Sequence, residues 1–166
     1  MKKITFFTFI SIIFFIFSTS CVGYKPIYAT SNFNFKIEQY SIKGNVKLGN
    51  LIYRKLNNIS LSNKNNPSVK GIVLSIEATK ERNPTVKDSV GNILEYEINL
   101  NTNIIINDFL TEKIILNQNF NYSISYKAQD EHSDTLKLEN QNIENLVNKT
   151  YQDVLIKISE AITSKW

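Results

Sequence analysis

The sequence predicts an α+β domain, a two-layer sandwich with two helices packed on one face of a four-stranded, mainly antiparallel sheet. Three observations predict it. Apolar and polar residues alternate over several stretches in the middle of the chain, the period of a half-buried strand. A stripe of apolar residues with a period near 3.6 fills the C-terminal third. The order is strand, helix, three strands, helix, and short connections make the three consecutive strands antiparallel neighbours.

Phe33, Phe35 and Ile37 alternate with Asn34, Lys36 and Glu38, and Gly44 ends this first strand. Leu48, Leu51, Ile52, Leu56 and Ile59 recur at helical spacing, with Asn45 placed to cap a helix of about three turns. Asn57 to Ser68 is rich in Asn and Ser and contains Pro67, the composition of a loop. Ile72, Leu74 and Ile76 alternate with Val73, Ser75 and Glu77 in a second strand. Asn83-Pro84 and Gly91-Asn92 bound a polar connection. Leu94, Tyr96, Ile98 and Leu100 alternate with Glu95, Glu97, Asn99 and Asn101 in a third strand that runs toward Ile106. Asn107-Asp108 reads as a turn, and Ile114 to Tyr126 as a fourth strand with Phe120, Tyr122, Ile124 and Tyr126 on one face.

The last element is a long helix from about Asn140 to Ser164, roughly 36 Å in length. Ile143, Leu146, Val147, Tyr151, Val154, Leu155, Ile158 and Ile162 form its stripe. Leu146, Val154, Leu155 and Ile158 are expected to be buried, and Asn145, Lys149, Gln152 and Lys157 to be exposed.

Ahead of this domain, residues 1–20 have the form of a secretory signal. Met1-Lys2-Lys3 is a short positive start, Ile4 to Phe17 is apolar with interspersed Thr and Ser, and Ser18-Thr19-Ser20 are small. Cys21 follows at once and is the only cysteine. That order resembles the lipobox of bacterial lipoproteins, with Ser18 standing where those proteins usually have Leu. The resemblance implies cleavage before Cys21 and acylation of its thiol and amine. Two or more acyl chains give stable anchoring where one gives only marginal binding. Residues 21–32, punctuated by Gly23 and Pro26, read as a lipidated tether, and residues 33–166 as one domain.

Composition limits the chemistry. Setting Lys2 and Lys3 aside leaves 15 acidic residues against two fewer than the 19 basic ones. That near balance argues against a nucleic-acid partner. His132 is the only histidine, and with Asp130, Glu131 and Asp134 it reads as a solvated acidic loop. No second His or Cys completes a zinc set there, so no metal site is expected. The 5 glycines are spread too widely for a phosphate loop. Glu95 and Glu97 share a strand face, which a solvated sheet surface explains without catalysis. An enzyme is not expected, nor a cofactor. Lys80, Arg82 and Lys87 cluster between the second and third strands beside Glu81 and Asp88. They read either as a mixed-charge connection or as a contact for anionic lipid groups.

Cys21-Val22-Gly23-Tyr24-Lys25-Pro26-Ile27-Tyr28 resembles the Cys-Gly-Phe-x-Pro-Leu-Tyr opening of the LPS-assembly lipoprotein family, LptE. Val22 is inserted before Gly23, Tyr24 stands for Phe and Ile27 for Leu. The strand–helix–strands–helix order agrees across the mature chain. The resemblance implies a non-enzymatic outer-membrane lipoprotein facing the periplasm. Such a protein sits inside the LptD β-barrel, helps that barrel assemble and binds lipopolysaccharide. Val22, in place of the Asp that retains many lipoproteins in the inner membrane, is compatible with outer-membrane sorting. Only Cys21 carries over as a functional residue. The alternatives are a periplasm-facing adaptor or scaffold of another envelope complex, and a lipid carrier with an apolar pocket.

Overall fold

The computed structural model describes residues 35–62 and 69–163. By its internal contacts the chain divides into Met1–Asn32 and Phe33–Trp166. The expected export signal (residues 1–20), Cys21 and the expected tether (residues 21–32) lie outside the described residues. Six elements follow: β1 (Phe35–Gly44), α1 (Val46–Ser62), β2 (Lys70–Lys87), β3 (Ile93–Asp108), β4 (Ile114–Lys127) and α2 (His132–Thr163). The sheet runs in the order β1-β2-β3-β4. β1 and β2 are parallel, so α1 is their crossover, and β2, β3 and β4 form an antiparallel meander. Both helices pack on one sheet face, which makes the domain an α+β sandwich.

The turn from β1 into α1 is tight. Gly44 has φ +72, and a Cβ there would run into the Ala78 carbonyl. The next amide, Asn45 N–H, donates to that carbonyl at 2.6 Å. Asn45 Oδ1 then accepts the Leu48 N–H at 3.2 Å, an N-cap. Gly49 lets α1 approach β1, since any side chain there would strike Ile42.

Three boundaries differ from the sequence expectation, each for a physical reason. α1 continues to Ser62 through residues whose composition indicates a loop. Ser60 explains it: the side chain is buried, and its hydroxyl accepts the Ile37 N–H at 2.8 Å beside a register slip in β1. β2 runs to Lys87 through Asn83-Pro84, where a connection is expected. β1 stops opposite Ala78, so beyond that point β2 is itself an edge, where proline is tolerated. α2 starts at His132, well before Asn140, and its 32 residues span about 48 Å. Its early inward positions are the buried polar residues Thr135, Glu139 and Asn142, which interrupt the apolar period.

Alternate residues of β2 and β3 form the floor of the core. Ile72, Leu74 and Ile76 lie opposite Asp108, Ile106 and Ile104, and all but Asp108 belong to the apolar core. Ile52 and Leu56 of α1 and Leu146, Val147, Val154, Leu155 and Ile158 of α2 cover them. Each fully buried aliphatic side chain contributes roughly 1.5–3 kcal/mol. Asn145, Lys149, Gln152 and Lys157 point outward.

Candidate functional site

At the Lys80 end of β2 the helix-covered face turns polar. Lys80 and Arg82 continue the row of Ile76 and Ala78, opposite Leu100 and Ile98. Glu139 comes down from α2 onto both. Its Oε1 lies 2.9 Å from Lys80 Nζ, and its Oε2 lies 3.3 Å from Arg82 Nε. The second contact is coulombic and not a directed hydrogen bond. The Tyr126 hydroxyl donates to Oε2 at 3.1 Å. Arg82 lies 3.7 Å over the Tyr96 ring, which stacks on Tyr126 at 5.7 Å. Burial pushes the Glu139 carboxyl up, but Lys80, Arg82 and Tyr126 outweigh it and hold it below its ordinary value. Burial first, and then the Glu139 charge, raises the Tyr126 phenol.

Lys80 and Arg82 thus clasp α2 to the sheet. The acidic residues beside them in sequence are not their partners. Glu81 projects to the opposite sheet face, and Asp88 accepts the Val90 and Asn92 amides of the β2–β3 turn. Lys87 is exposed past the register slips that follow Pro84, about 16 Å along the strand from Arg82. The structure does not bring Lys80, Arg82 and Lys87 into one patch.

A different set of cations surrounds a groove that the sequence did not single out. α1, α2 and β2 enclose about 350 Å³ over Leu48, Leu51, Ile143 and Val147. Lys47, Lys55, Lys80 and Glu144 stand around it. Lys55 Nζ lies 6.0 Å from the Tyr151 ring centre. The available signal was the four-residue step Lys47, Leu51, Lys55, which places both lysines on one side of α1.

The second sheet face has a different character. Among the described residues no helix packs on it. The register places Ser75, Glu77, Thr79 and Glu81 of β2 there, with Glu95, Glu97, Asn99, Asn101 and Asn103 of β3. Asn117, Asn119, Asn121, Ser123 and Ser125 of β4 complete it. A hollow of about 340 Å³ lies over Thr79, Glu81, Asn99, Asn101, Asn121 and Ser123. Glu95 accepts the Thr85 hydroxyl at 3.1 Å, and Glu97 accepts the Asn99 amide at 3.3 Å. Uncharged amides and hydroxyls are the majority on this open face, and Glu77, Glu81, Glu95 and Glu97 add negative charge to the hydrogen-bonding groups it offers.

Two carboxylates hold α2 and the β3–β4 turn. Tyr122 donates its hydroxyl to Asp153 while Lys149 sits 4.5 Å over its ring. Burial, and then Asp153, push this phenol up to about 12. Asp108 Oδ1 accepts the Thr111 and Leu110 amides at 2.8 and 3.0 Å, and its Oδ2 pairs with Lys70 at 3.1 Å. The Thr111 amide and Lys70 lower its carboxyl to about 2. His132 is the exposed first residue of α2. Among the described residues no group of three or more His, Cys, Asp or Glu is placed to hold a metal. Among the same residues no helix is long and apolar enough to cross a membrane.

One crossover, one meander and a long C-terminal helix define a class of small two-layer domain that solved bacterial structures share. A protein of Caulobacter crescentus described as a lipoprotein matches with TM-score 0.55 at 10% identity, over 81% of this chain and 93% of its own. Lipoprotein B of Nitrosomonas europaea matches with TM-score 0.57 at 14% identity, over 79% of this chain and 86% of its own. A minor lipoprotein of Acinetobacter baumannii matches with TM-score 0.51 at 13% identity, over 77% and 92%. At these identities the likeness is one of fold. No family model matches the sequence, and no curated protein matches it significantly.

Proposed function

We propose that this chain is a cell-envelope lipoprotein that seats in the lumen of an LptD-type outer-membrane barrel. There it helps the barrel assemble and assists insertion of lipopolysaccharide into the outer leaflet. The observation that carries this reading is the open sheet face. Its rows of Asn, Ser, Thr and Glu suit the polar wall of a barrel interior, which an apolar surface would not. Two further facts support it. The residues from Cys21 to Tyr28 resemble the opening of the LptE family, and the fold is shared with proteins described as lipoproteins.

In this reading acylated Cys21 anchors the domain on the periplasmic side of the outer membrane. Lipopolysaccharide meets the groove, whose apolar floor suits acyl chains and whose Lys47 and Lys55 suit phosphates. Lys80 is largely committed to Glu139, and Lys87 lies elsewhere.

The test is a pull-down of the full-length chain extracted from membranes. A large outer-membrane barrel is expected as the main partner, and Asn99→Arg with Asn101→Arg is expected to reduce its recovery. Recovery of a different envelope complex without a barrel would replace this reading with that of an adaptor. Mass spectrometry of the same material should find Cys21 acylated and N-terminal. An unmodified thiol would remove the anchor. Lys47→Glu with Lys55→Glu should lower retained lipopolysaccharide and leave the barrel bound.

A further inference from the structure

The β3–β4 turn carries two apolar side chains at its tip. Leu110 is 87% exposed, and Phe109 beside it is exposed as well. The backbone under them is satisfied from within. The Phe109 N–H donates to the Gly71 carbonyl at 3.0 Å, and the Glu112 N–H to the Asp108 carbonyl at 2.9 Å. The Leu110 and Thr111 amides donate to Asp108 Oδ1. Lys70 offsets the charge of that carboxylate. A turn can enter the apolar edge of a bilayer cheaply only when its amides need no water, and these four consecutive amides are bonded. Thr111, Glu112 and Lys113 on the returning side are exposed and suit the headgroup layer, with no net charge.

The place of this tip in the fold decides what it meets. Phe35, where the chain enters the sheet, pairs with Lys70, next to the Gly71 that holds Phe109. Exposed Leu61 lies at the same end, since its neighbour Ser60 holds the Ile37 amide. The chain from Cys21 to Phe35 reaches about 46–50 Å at full stretch. The far end of the sheet also exposes apolar groups, Val90 at 80% with Val86 and Leu94 behind it. β2 alone, however, runs about 50 Å from Gly71 to Lys87. With Cys21 held in a membrane, the far end touches that membrane only on a tether at its limit, which costs chain entropy. The Phe109–Leu110 end touches it on a slack one. We infer that the Phe109–Leu110 tip is a second membrane contact, inserting into the phospholipid surface that carries the acylated Cys21 before the domain enters a barrel. The inference rests on the proposed anchor. Strand ends make this contact, so the open face stays clear for the barrel. The groove, at the Asn45 end of α1, stays clear for lipopolysaccharide.

The test uses the full-length chain extracted from membranes and reconstituted into phosphatidylcholine vesicles without barrel or lipopolysaccharide. Trp166→Phe removes the one native tryptophan. In that background Leu110→Trp is expected to be blue-shifted and to lose most of its fluorescence to phosphatidylcholine brominated in the acyl chain. Val90→Trp, equally exposed at the far end, should keep its fluorescence, which controls for the affinity of tryptophan itself for lipid. Adding Phe109→Asp to Leu110→Trp should restore most of the lost signal, and circular dichroism checks that the variants fold. An unquenched Leu110→Trp probe on chains that float with the vesicles overturns the inference and leaves the anchor standing. Equal quenching of both probes also overturns it, because the domain then lies flat. A blue shift without quenching overturns it too, because protein and not lipid then covers the tip. Mass spectrometry of the same sample reads the anchor, and the pull-down reads the barrel, so each fails separately.

Discussion

The two faces of the sheet share one backbone and one set of hydrogen bonds, yet they do different work. Odd and even positions of β3 show it most clearly. Ile98, Leu100, Ile104 and Ile106 are buried under the helices, while Asn99, Asn101 and Asn103 between them face outward. Apolar burial is concentrated on one face, and among the described residues no helix covers the other, which the proposed function takes as the recognition surface. Substitutions on the two faces should therefore separate folding from partner binding.

The largest expected effect lies on the covered side. Leu155→Ala empties a site that is 1% exposed and should cost about 2–5 kcal/mol in denaturant unfolding. Gln152→Ala, exposed on the same helix, should stay within roughly 0.5 kcal/mol. Equal stability of the two variants would show that α2 does not dock by this face. Next comes the clasp. Glu139→Gln leaves Lys80 and Arg82 beside a neutral amide. Removing one partner of a fully buried pair costs about 3–5 kcal/mol. Both cations keep some contact with water, so about 1–3 kcal/mol is expected here.

Acid and alkali give a smaller effect on the covered side. Asp108 is lowered from 3.8 to about 2, so the folded state favours its ionised form. That contribution is complete above pH 4 and lost as pH falls toward 2. Glu139 is shifted in the same direction. Tyr122 is raised from 10.0 to about 12, so its contribution is complete below pH 10 and lost as pH rises toward 12. Stability profiles of Asp108→Asn and Tyr122→Phe should each flatten one limb and leave the other. The smallest effect belongs to the open face. Asn101→Ala should change stability by no more than about 0.5 kcal/mol. A large loss there would mean that the open face supports the fold and would end the contrast.

Much of this was legible because periods report burial. The alternation from Tyr96 to Asn101 and the stripe from Leu146 to Ile158 each named the face that packs, while Leu94, at the start of that alternation, is 48% exposed. What stayed hidden was held by polar groups. Ser60 and Thr135 look like loop residues, but one serves a strand amide and the other accepts the Gln129 N–H at 2.8 Å. Pro84 marks a strand break only if that strand is flanked on both sides, and the sequence, which ends β1 at Gly44, does not tell that Gly44 lies opposite Ala78. The clasp was half visible. Lys80 and Arg82 drew notice, but their acid, Glu139, is far away in sequence, on a helix turn where no stripe was apparent. The step Lys47, Leu51, Lys55 put two lysines on one side of α1, but the groove takes residues from three elements, so that step alone did not mark a site.

The parallel pairing of β1 has a consequence for the order of events in folding. Lys87 and Ile93 close a short hairpin, whereas Phe35 must find Lys70 across the whole of α1. Closing the longer loop costs more chain entropy, so the meander should form ahead of the crossover. The same hierarchy should govern opening. In native-state hydrogen exchange, β1 amides should exchange through a partial opening that leaves the meander intact. β3 has a partner on each side, and its central amides should exchange only when the whole domain unfolds.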